Sequence, residues 1–151
     1  MRIYLVVLDE TREAEVALRF AARRAAKTGG SVQIVALVAP SEFVQWGGVQ
    51  ATMEEEARQR AEALVAGAAG TLLQESGVRP SISVRQGDAV TVVRAILEEN
   101  PDIAALVLGA ASNGPPGPLV AHFAGIEAGN APCPIMIIPG SLDREAIDRL
   151  S

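Results

Sequence analysis

Asp9 and the stretch 106–117, LVLGAASNGPPG, are the residues whose types and spacing best suit chemistry. Asp9 follows an apolar run. Its carboxylate can accept a ligand hydroxyl, or it can cap the helix that opens near Thr11, and the residues alone leave both roles open. Around Gly109 the apolar residues stop. Gly, Ala, Ser, Asn and Pro follow, and a helix-like segment opens near Pro118. A buried parallel strand that ends in such a loop is where open α/β sheets bind ligands, often phosphates. Gly109, Ser112, Gly114 and Gly117 are the candidate cradle, with a stiff Pro-Gly loop as the plainer reading. Pro115, Pro116 and Pro118 have no N–H to give an anion. No Lys or Arg lies between Arg94 and Arg144, so the loop is expected to be poor in donors and to lack a local cation. The lone His122 is expected to face solvent. Cys133, between two prolines, is expected to be a packed thiol and not a nucleophile. Glu54, Glu55 and Glu56 read as a solvated helix start. No residue is assigned as catalytic and none as a metal ligand.

Those residues need a scaffold, and composition limits what it is. The 151 residues suit one domain with one core. Apolar residues make up 49% and aromatics only 3%, so the core must be built from Ala, Val, Leu and Ile. That mixture suits a parallel sheet under close-packed helices. A formal net charge of −5 argues against a general nucleic-acid binder. A single cysteine allows no internal disulfide and points to a reducing compartment. The N-terminus does not read as a signal peptide. No apolar run approaches the roughly 20 residues that cross a bilayer. The expectation is a cytoplasmic protein without membrane attachment.

Residues 3–8 read as a strand buried on both faces. Thr11 opens a helix whose stripe is Ala14, Ala17, Leu18, Ala21, Ala22 and Ala25, ended by Gly29 and Gly30. Residues 32–38 are the second strand. Residues 41–50 have no clear period; Phe43 and Trp46 there suit a lid or a dimer contact. Thr52 and Glu55 form a capping-box pair opening a long helix. Gly67 and Gly70 lie inside it at a cost of about 1 kcal/mol each against Ala, and close packing on a neighbour is one explanation. The alternation in 81–85 predicts an edge strand. Asp88 caps a third helix, which Asn100-Pro101 stops. Residues 103–108 are the fourth strand. Leu119, Val120, Phe123 and Ile126 give a short fourth helix, and 134–138 are the fifth strand. Leu142, Ala146 and Leu150 line one side of an amphipathic tail. The order βαβαβαβαβ predicts a single open five-stranded parallel sheet, order 3-2-1-4-5, with helices on both faces. Winding reverses between strands one and four, which sets Asp9 beside the loop after Gly109. A phosphorylated receiver domain shares that order, but its acceptor Asp and its Lys are missing from the ends of strands three and five.

The segments VVLDETREAEVALRFAARRA, VRQGDAVTVVRAILEENPDIAALVLGA and APCPIMIIPG, in this order, resemble universal stress proteins. The resemblance spans 1–140, leaving 141–151 as a tail. It implies a Rossmann-like nucleotide-binding fold and a stress-response or signalling module. It also implies a homodimer paired through the fifth strand, Ile135, Met136, Ile137 and Ile138. In ATP-binding members an acidic residue after strand one contacts the nucleoside, which Asp9 matches. Main-chain groups near the end of strand two hold adenine, which points to Val38. The phosphates sit on Gly, two residues, Gly, nine residues, then Gly-Ser or Gly-Thr. Here Gly109 serves as the first glycine, Ser112 stands for the second, and Ala121-His122 replace the final pair. ATP or AMP with Mg²⁺ is therefore expected to bind weakly or not at all, or a different small ligand to be preferred. A slow ATPase using Asp9 is the alternative to a non-catalytic binding module.

Overall fold

The computed structural model describes residues 1–39 and 47–151. Phe43 and Trp46 lie outside the described residues. Five strands form one sheet: β1 (Ile3–Leu8), β2 (Ser31–Val38), β3 (Ser81–Gln86), β4 (Ile103–Ala110) and β5 (Ile135–Pro139). All pairings are parallel, and the order is β3-β2-β1-β4-β5, as the sequence predicts. The helices are α1 (Arg12–Thr28), α2 (Gly47–Ser76), α3 (Ala89–Glu99), α4 (Pro118–Phe123) and α5 (Arg144–Leu150).

Strand alternation divides the core between the two faces. Tyr4, Val6 and Leu8 of β1 join Ile34, Ala36, Val38, Ala105, Val107 and Ile138 under α1, α2 and α5. Leu5, Val35, Leu106 and Leu108 pack on the other face with Val93, Ile96 and Leu97 of α3 and Val120 and Phe123 of α4. The small side chains of α1 allow close approach, and Ala17, Ala21 and Ala25 are fully buried.

Local signals account for most element boundaries. Thr11 caps α1 by accepting from the Ala14 N–H at 3.3 Å. Gly29 ends α1 in the left-handed region at φ 67°. Asp88 caps α3 through the Thr91 N–H at 3.1 Å. Three expectations are corrected. Helix α2 already begins at Gly47, so Thr52 and Glu55 are interior and form no capping box. Helix α4 stops at Phe123; Ile126 lies beyond it in a run of turns and is 86% exposed. The tail forms α5, but Leu150 is exposed and Ile147 makes the buried contact.

Beyond Val6, β1 no longer pairs with β4, whereas its pairing with β2 continues to Leu8. The sheet therefore splits between β1 and β4 at their carboxyl ends, where the winding reverses.

Candidate functional site

Asp9 leaves β1 at one side of that split and is exposed. Its Oδ1 accepts the Thr11 N–H at 2.9 Å and also the Thr11 hydroxyl. Asp9 thus positions the residue that caps α1. These two bonds use one carboxylate oxygen and leave Oδ2 outside them.

Gly109 stands on the other side, in register with Ile138 of β5. The first turn of α1 lies directly against it. A Cβ at position 109 would collide with the Glu13 carbonyl group and lie 3.0 Å from the Glu13 Cβ. Gly140, after β5, meets the same helix turn: a Cβ there would be 2.7 Å from the Ala110 carbonyl oxygen and 2.9 Å from the Glu13 Cβ. Helix–strand contact alone is sufficient reason for glycine at both places.

The loop 111–117 closes on itself, with the Ala111 N–H donating to the Pro116 carbonyl at 3.1 Å. Gly114 and Gly117 have φ of 75° and 116°, which other residues avoid. Ser112, Asn113 and Gly114 form an exposed tip. Their N–H groups donate to no main-chain acceptor among the described residues. The prolines remove donors after this tip but leave three consecutive amides in it.

Tertiary structure also supplies cations that sequence distance concealed. Arg12, the first residue of α1, donates through Nε to the Gly140 carbonyl at 3.2 Å. The Gly140 N–H donates to the Ala110 carbonyl at 2.8 Å, so Arg12 is anchored beside the base of the loop. On the other face, Arg94 of α3 pairs with Glu127 and places a guanidinium nitrogen 3.1 Å from His122 Nε2. That His nitrogen lies 3.4 Å from Glu127 Oε2, and the ring meets Phe123 edge-on at 5.1 Å. His122 is therefore half-buried and held from two elements, contrary to the solvent-facing expectation.

Other candidates are placed as follows. The Val38 side chain is buried, and its carbonyl accepts the Gly87 N–H at 3.1 Å. Hydrogen bonds from the Thr91 N–H and hydroxyl hold the Asp88 carboxyl below its ordinary range. Burial pushes the Cys133 thiol up, as suits a packed and unreactive cysteine. No group of three or more His, Cys, Asp or Glu among the described residues is arranged to hold a metal ion. A groove of about 1080 Å³ reaches Leu8 and Asp9 but runs mainly between α1, α2 and α5, away from the loop. Asp9 and Arg12 both line this groove, whereas the loop tip lies outside it, after the carboxyl end of β4.

The model of the universal stress protein family matches residues 1–139. The chain belongs to the universal stress protein family. Solved structures of the family share its fold. Universal stress protein UspA from Lactobacillus plantarum superposes with a TM-score of 0.77 at 16% identity, covering 91% of this chain and 97% of that one. A universal stress protein from Archaeoglobus fulgidus, solved with dAMP, gives 0.58 at 19% identity, covering 91% and 97%. An Arabidopsis thaliana family member, solved with AMP, gives 0.61 at 15% identity, covering 92% of each chain. Among curated proteins none matches this sequence.

Against the family's glycine pattern, this universal stress protein keeps Gly109 where α1 needs it and replaces the second glycine by the exposed Ser112. Sequence reasoning missed Arg12. One signal was available: a cation in the first turn of a helix opposes the dipole, so its presence there asks for another partner.

Proposed function

We propose that this protein is a non-catalytic, dimeric stress-response module of the cytoplasm that binds an adenine nucleotide carrying a single phosphate group, weakly, in the split between β1 and β4. One observation carries this reading: three amides at 112–114, with no main-chain acceptor among the described residues, follow a loop base that Arg12 buttresses through Gly140. That donor set suits one phosphate. A triphosphate would need more donors, or Mg²⁺ held by a group of carboxylates, and no such group is found among the described residues. Asp9 Oδ2 would accept a ribose hydroxyl, and main-chain groups at the end of β2 near Val38 would meet the base. AMP and dAMP in the two related structures above, and cAMP in a third family member, support the ligand class.

Dimerisation through β5 belongs to the same proposal. It is an edge strand, and Ile137 is 40% exposed. An uncovered apolar edge invites pairing with a second copy.

Calorimetric titration with AMP, and with ATP plus Mg²⁺, tests the site. AMP is expected to bind more tightly than ATP, and Arg12→Ala and Asp9→Asn are each expected to weaken AMP several-fold. Tight Mg²⁺-ATP binding that Arg12→Ala leaves unchanged would overturn the reading.

A further inference from the structure

The chain has three asparagines, and their following residues differ: Asn100 precedes Pro101, Asn113 precedes Gly114, and Asn130 precedes Ala131. Asn113 and Gly114 are both exposed. Among the described residues the Gly114 N–H donates to no main-chain group and no hydrogen bond fixes the Asn113 side chain. Nothing lies within 4 Å of where a Cβ of Gly114 would be. By contrast, the Asn100 side chain is occupied by the Asp102 N–H at 3.1 Å, and Pro101 has no N–H.

From this juxtaposition we propose that Asn113-Gly114 is a self-modification site, at which Asn113 is converted to aspartate and isoaspartate. The Gly114 nitrogen attacks Asn113 Cγ. A C–N bond forms, the bond from Cγ to the side-chain nitrogen breaks, and that nitrogen leaves as ammonia with the proton given up by Gly114. The product is a five-membered succinimide. Water adds to one of its two carbonyls and reopens the ring, yielding aspartate or, with the main chain lengthened by one methylene, isoaspartate. Ammonia is lost and water gained, so no oxidant or reductant is required. Gly114 favours the step because its nitrogen carries no crowding side chain and has no hydrogen bond to break.

The modified loop carries a carboxylate at its tip, between two of the amides assigned to the phosphate. Its ends stay clamped by the Ala111–Pro116 bond, so the added methylene must distort the tip itself. The aged form repels anions, and the change is a slow, one-way loss of nucleotide affinity. This consequence rests on the function proposed above; the modification does not.

Purified full-length protein is incubated for days at mildly alkaline pH and mapped by peptide mass spectrometry with an isoaspartate assay. The peptide containing Asn113 is expected to gain about one mass unit and to contain isoaspartate, while those containing Asn100 and Asn130 keep their amides. Asn113→Gln is expected to suppress the change. Conversion at Asn113 no faster than at Asn130 would overturn the proposal. Fresh and aged samples are then titrated with AMP, with several-fold weaker binding expected for the aged sample. If fresh protein binds no AMP, the nucleotide reading fails, and the mass data still decide the modification.

Discussion

Gly109 has two reasons to be glycine in sequence, and the structure displays one of them. A glycine at the end of a buried strand reads as a ligand cradle, but the Glu13 main chain fills the position a side chain would need. Gly109→Ala forces two backbones apart and is expected to cost about 1–3 kcal/mol or more. Chemical denaturation measures this, and added AMP is not expected to restore the loss. The caps Thr11, Gly29 and Asp88 were legible because capping is a local bargain between one side chain and one helix end. Arg12, His122 and the free amides of the tip were not. The partners of Arg12 and His122, namely Gly140, Arg94 and Glu127, are brought up by the fold from other elements or by a turn that follows α4, where helical periodicity predicted Ile126.

Among the elements, α2 and α5 carry the sharpest expectations. Gly67 and Gly70 sit exposed inside α2 with open space where a Cβ would go, so close packing within the chain does not explain them. Gly67→Ala and Gly70→Ala are each expected to raise stability by about 1 kcal/mol, read as an increase in Tm. A Thr followed three residues later by Glu is also an ordinary pair of neighbours along a helix face, which is why Thr52 and Glu55 misplaced the start of α2. Helix α5 docks through Ile147 and through Asp148, which takes two bonds from Arg19 at 2.9 and 2.8 Å. The Arg19 bonds hold the Asp148 carboxyl below its ordinary range. Folding therefore favours the ionised form. This stabilisation is complete above the unfolded carboxyl's range and disappears as pH falls through the lowered folded value. Asp148→Asn is expected to lower Tm at neutral pH and to narrow its gap to the wild type in acid. A gap independent of pH would contradict this.

At the scale of the molecule, the strand order, both faces and the switch point were all readable, because alternating apolar runs and short crossovers admit few topologies. The covering of β5 was less readable. Ile137 shares its face with Ile135, which packs under α3 and α4, but α4 stops after six residues. Ile137 is left 40% exposed on the outermost strand. Ile137→Lys is expected to convert the proposed dimer to monomer in sedimentation or light scattering, with the fold intact by circular dichroism. The start of α1 rests against Gly109 and Gly140 together and is tied to the latter's carbonyl by Arg12. The α1 side of the split is thus held by contacts to two strands. On adding AMP, deuterium uptake is expected to slow at 112–114, whose amides meet no main-chain acceptor among the described residues, while 14–16, already bonded to Thr11 or within α1, exchange as before.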